Sequence, residues 1–197
     1  MAHIIYPGII LFFALLFTGS SAFSDEFSDT LSQVETLNIS RGNYVLGKAL
    51  TNKQKEMASK HAVRDSTPWT YKFKDQGMAV VAEKTTDRVI ILYEQYENAS
   101  PEKVQKLVSA LFLDFGDPTV MAHDKIIYWA YSPKGKLTRE QYKNLRKADE
   151  ELNIIATIKL NSSQGIMEKN TRKASKGNLY YIISSQVALA LLKKQDG

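Results

Sequence analysis

Between Trp69 and Tyr96 the chain carries three strand-like runs, the first strictly alternating, and only short turns separate them. In WTYKFK, Trp69, Tyr71 and Phe73 alternate with Thr70, Lys72 and Lys74. A repeat of two sends alternate side chains to opposite sides, as a half-buried strand requires. DQG leads into a second run, Met78 to Glu83, and KTTD into a third, Arg88 to Tyr96. Connections this short leave no room for a crossover helix, so these strands are expected to be antiparallel neighbours.

The segments around this meander carry helix signals. Ser100 is placed to cap a helix that starts at Pro101, where the missing N–H costs nothing. Val104, Leu107, Val108, Leu111 and Phe115 give that helix one apolar face. Lys125 to Tyr131, KIIYWAY, is apolar on both sides and reads as a central strand. Thr138 and Gln141 form a capping box for a further helix, with Leu137 and Tyr142 placed as a hydrophobic staple. Ile154 to Leu160 and LYYII, Leu179 to Ile183, read as strands, and the chain ends in a short helix, SSQVALALLKK. Upstream, Phe23, Phe27, Leu31 and Val34 mark an amphipathic helix to Leu37, and SRGNYVLGKAL an irregular connector. Thr51 and Gln54 cap a weak helix with Met57, Ala58 and Ala62, which should stop before Pro68. The expectation is an α+β fold: a mostly antiparallel sheet of about five to six strands with helices packed on one face, preceded by an N-terminal helical segment. Residues 1–22 are read as a signal peptide, 23–66 as the helical segment and connector, and 67–197 as the α+β core.

The signal reading rests on Ile4 to Phe17, an apolar run shorter than the about 20 residues that span a bilayer. Small residues ending in Ser20-Ser21-Ala22 follow it, so cleavage is expected after Ala22, with an uncleaved anchor as the alternative. No later segment is long and apolar enough to span. The chain has no cysteine, which excludes disulfides, thiol catalysis and Cys-ligated zinc. A cysteine-free exported domain fits a periplasmic or secreted location in bacteria. The net charge of +5 lies wholly beyond Ala22. It suits anionic surfaces and falls short of the concentrated stripe of a nucleic-acid binder.

Chemistry-bearing residues concentrate in FGDPTVMAHD, Phe115 to Asp124. Gly116 and Pro118 are expected to stop the preceding helix, and Val120 and Met121 to tuck into the core. His123 is the candidate general base, oriented by Asp117 or Asp124. No nucleophile accompanies it, so the connector reading is favoured. Glu94 and Glu97 are paired carboxylates of glycosidase type, read as a solvated strand edge. Lys169, Arg172, Lys173 and Lys176 form a basic loop, a weak candidate for binding anionic lipid or polymer. Trp69, Tyr71, Phe73, Tyr128, Trp129 and Tyr131 read as core, with a binding groove as the alternative. The isolated histidines have no ligand spacing, and neither a metal nor a cofactor is expected. These features favour a non-catalytic accessory or binding protein of the bacterial envelope. Its partner would be another envelope protein, or an anionic envelope polymer or lipid surface, and not nucleic acid. The alternative is a periplasmic hydrolase using the His123, Asp124 and Asp117 loop.

Overall fold

The computed structural model describes residues 19–64, 67–147, 153–163 and 176–194. Strands β4 (Thr70–Asp75), β5 (Met78–Glu83) and β6 (Val89–Ala99) form the expected antiparallel meander. Gln76 and Gly77 turn β4 into β5 with φ of 48° and 86°. Positive φ at successive positions matches the right-handed twist of the flanking strands. In β6 a bulge separates the Val81–Ile91 and Ala82–Val89 pairs, leaving Ile90 as the extra residue.

The sheet continues through β11 (Gly177–Ser184), β10 (Ala156–Ser162) and β8 (Ile126–Ser132). These six strands are the long ones anticipated from the sequence. Three short ones complete a nine-stranded antiparallel sheet: β3 (Ala62–Val63) beside β4, and β7 (Val120–Ala122) and β9 (Gly135–Lys136) beside β8. Ala62 thus leaves the helix in which it was expected. Helix α2 (Asn52–Lys60) stops at His61, and Ala62 and Val63 pair with Phe73 and Lys72. That pairing satisfies ladder groups β4 would otherwise leave open. Both anticipated capping boxes form. Thr51 and Gln54 bond reciprocally ahead of α2, and Thr138 and Gln141 ahead of α4 (Arg139–Lys147).

One cross-strand row runs Phe73, Val80, Leu92, Ile183, Ile158, Trp129. It forms the spine of the main core, into which α2 sends Ala58 and α3 (Pro101–Phe115) sends Val104, Val108 and Leu111. The connector joins the same core through Ile39, Tyr44, Leu46 and Leu50. It folds a small hairpin, β1 (Ser40–Arg41) with β2 (Tyr44–Val45), and then crosses α1 (Gly19–Thr36) at Gly47. A Cβ there would stand 2.7 Å from the Leu31 carbonyl oxygen and the Glu35 nitrogen, so only glycine permits the crossing.

The other sheet face carries a second cluster. Phe27 and Leu31 of α1, Ile90, and Ala188, Leu191 and Leu192 of α5 (Gln186–Lys194) pack together, with Val81 and Ile91 against them. Helices therefore lie on both faces: α2 and α3 on one, α5 on the other. Trp69 also belongs here. It precedes β4, escapes the alternation that sends Tyr71 and Phe73 to the main core, and packs on the second cluster.

Candidate functional site

The segment from Phe115 to Asp124 is fixed by its surroundings. Gly116 closes α3, its N–H donating to the Phe112 carbonyl at 2.8 Å, with φ 67° and ψ −157°. That conformation is essentially restricted to glycine. The Trp129 indole N–H donates to the Gly116 carbonyl at 2.9 Å. Lys136 reaches from β9 and donates to the carbonyls of Phe115 at 2.7 Å and Asp117 at 3.1 Å. A cation thereby caps the negative end of α3. Thr119 is fully buried; its hydroxyl donates to Leu137 at 2.6 Å and accepts from the Ala130 N–H at 3.0 Å.

His123 and Asp124 stand at the tip of the β7–β8 hairpin with φ of 51° and 49°. The Lys125 N–H closes the turn on the Ala122 carbonyl at 3.1 Å. Histidine and aspartate are among the side chains that tolerate positive φ, which accounts for both residue types here. Both side chains and that of Asp117 are exposed, and no side-chain hydrogen bond joins the three among the described residues. Of the basic loop, Lys176 lies exposed just ahead of β11, while Lys169, Arg172 and Lys173 are outside the described residues. Among the aromatics, Phe73, Trp129 and Tyr131 are core.

Glu94 and Glu97 lie on opposite faces of the sheet. Glu94 pairs across from Tyr181 on the core face, while Glu97 accepts from Gln95, which pairs across from Tyr180 on the other. Carboxylates so separated cannot flank one glycosidic bond. Instead of a solvated edge, Glu94 is the centre of an ionisable cluster. Arg41 donates to both its oxygens at 2.6 and 2.9 Å, the Tyr96 hydroxyl donates to it, and Arg41 lies over the Tyr181 ring at 5.0 Å. Burial pushes the Glu94 carboxyl up, but the Arg41 and Tyr96 hydrogen bonds outweigh it and hold the group below its ordinary range. Each charge in this cluster is spent on its neighbour. Its effect is to pin the β1–β2 hairpin to β6.

Basic charge collects on α4. Helix α4 has no fully buried residue. Arg139, Lys143, Arg146 and Lys147 lie along one stripe of it, opposed within the helix by Glu140 alone. This stripe and Tyr142 face Thr119, Val120 and Met121 across an open cleft of about 690 Å³. The β7 side is the end of the sheet, where Val120 to Ala122 pair with β8 only. None of the four cations has a carboxylate within salt-bridge distance among the described residues. The sequence signal was REQYKNLRK, whose basic residues recur at i, i+4, i+7 and i+8; only its position beside β7 makes it a cleft wall.

No family model, no curated protein and no solved structure matches the chain.

Proposed function

We propose that this protein is a non-catalytic binding module of the bacterial envelope, and that the β7–α4 cleft holds an anionic partner. The observation that carries the reading is electrostatic. Arg139 with Lys143, and Lys143 with Lys147, are like charges at i, i+4, an arrangement that destabilises a helix by about 0.2–0.5 kcal/mol per pair. A nine-residue helix that contributes no fully buried side chain has little packing to offset that cost. Such a stripe is explained by a ligand that neutralises it. The partner would carry several negative charges, as phosphate groups of an envelope polymer or of a lipid surface do.

Export is part of the same proposal. The described buried residues of α1, Phe27, Leu31 and Val34, all lie beyond Ala22, so cleavage there would remove none of them from the core. The hydrolase alternative has less support, because a general base needs a reacting group and an orienting partner, and the exposed hairpin tip supplies His123 with neither.

The test is binding of the purified chain to phosphatidylglycerol vesicles, to phosphatidylcholine vesicles and to soluble polyphosphate. Retention by either anionic probe, weakening as salt rises and lost in Arg146→Glu, is expected. Equal binding to neutral vesicles, or an Arg146→Glu variant that binds like the parent, would sink the reading. N-terminal sequencing of the envelope-fraction protein decides export: the expected first residue is Phe23, and a chain still starting at Met1 refutes cleavage.

A further inference from the structure

Helix α5 covers only part of the sheet face it packs on. Beside it a cleft of about 240 Å³ opens, walled by Trp69, Val81, Ile91, Leu189 and Leu192. Four of these five are only half-buried, so the wall is apolar surface left in contact with water. Lys72 and Lys193 also line it. Lys72 stands in the same cross-strand row as Val81 and Ile91, so its stem runs along the apolar wall. Neither lysine is paired with a carboxylate among the described residues. The buried carboxylate of β5, Glu83, is committed elsewhere: its oxygens accept from the N–H groups of Thr85 and Thr86 at 2.7 Å.

An apolar wall flanked by two ammonium groups is complementary to an apolar molecule bearing one anionic end. The volume sets its size. It lies below the range of about 300–1,000 Å³ typical of drug-sized sites, which excludes multi-ring cofactors and two-chain lipids. We propose that this cleft binds a free medium-chain fatty acid. The alkyl chain lies against Trp69, Val81, Ile91 and Leu189, and the carboxylate is held by Lys72 and Lys193. The site is independent of the β7–α4 cleft and shares no residue with it.

The chain has two tryptophans, and Trp129 is fully buried in the main core, so a change of indole emission on ligand addition reports Trp69. The full chain is titrated with decanoate and, separately, with decan-1-ol. Saturable change in emission with decanoate is expected, with decanol at least tenfold weaker. Lys72→Gln/Lys193→Gln should weaken decanoate at least tenfold and leave decanol unchanged. Leu189→Gln should weaken both, and Arg146→Glu neither. No saturable response to decanoate, or decanol binding as tightly as decanoate, overturns the proposal using the parent chain alone, whatever the variants do. Unchanged affinity in a folded Leu189→Gln protein overturns the location.

Discussion

The Arg41 guanidinium holds both oxygens of Glu94, Nε to Oε1 at 2.6 Å and Nη2 to Oε2 at 2.9 Å, across 53 residues of sequence. This bidentate pair ties the β1–β2 hairpin to the middle of the sheet. Because the folded carboxyl titrates below its ordinary value of 4.5, the pair's contribution is complete above that value. It is lost as the pH falls from there through the lowered folded value. Asp87, held low by Lys55 and Tyr71 against the opposing effect of burial, acts in the same sense. Urea unfolding should therefore show stability falling on the acid side, and Glu94→Gln should flatten part of that slope. At neutral pH, Glu94→Gln should cost about 1–3 kcal/mol, between the values for exposed and for buried pairs. An acid limb identical to the parent's would show that the pair contributes nothing.

Tyr181 lies under Arg41 with 1 % of its surface exposed, and its hydroxyl has no hydrogen-bond partner among the described residues. A buried unpaired hydroxyl carries a desolvation cost of about 1–3 kcal/mol. Tyr181→Phe keeps the ring that Arg41 stacks on and removes that cost. The variant should be as stable as the parent or more so in urea unfolding. A loss above about 1 kcal/mol would mean that the hydroxyl has a partner, such as a buried water.

The connector after α3 makes the opposite prediction. Thr119→Val preserves shape but strands the Leu137 carbonyl and the Ala130 N–H, both bonded to the Thr119 hydroxyl. Leaving buried groups unsatisfied should cost about 2–4 kcal/mol. Gly116→Val should also destabilise, by more than about 1 kcal/mol, since φ is 67° and a Cβ would approach Lys136 Nζ to 3.1 Å. Unfolding curves within about 0.5 kcal/mol of the parent for both variants would mean that this segment does not anchor the fold.

These positions show what the sequence could and could not disclose. Caps and long strands were legible because their causes are local: Ser100 before Pro101, Thr51 with Gln54, and β-branched, aromatic or alternating runs bounded by turn residues. The short strands β3, β7 and β9 were not. Pieces of two or three residues have no period, and the neighbouring strand's unpaired ladder groups decide their pairing. Trp69 went to the wrong face because it precedes the strand whose alternation was extended to it. His123 and Asp124 attracted a catalytic reading because acid–base chemistry and positive-φ turns favour the same residue types. The α4 stripe was readable as residues, but a stripe becomes a cleft only when β7 lies opposite, and that is tertiary information.

The α4 stripe also yields a test that separates binding from folding. Lys143 sits four residues from Arg139 and Lys147 and three from Arg146 and Glu140, so Lys143→Glu turns three repulsions into attractions and one attraction into a repulsion, a net gain of two pairs. Each converted pair should be worth a few tenths of a kcal/mol, so the variant should gain about 0.5–1 kcal/mol in urea unfolding. The same change places a carboxylate in the middle of the β7–α4 cleft and should weaken binding to polyphosphate and to phosphatidylglycerol vesicles. A residue kept for structure would lose stability when replaced, whereas one kept for a ligand can gain stability and lose function. Lower stability in Lys143→Glu, or higher stability with binding intact, would return the stripe to the status of a solvated helix face.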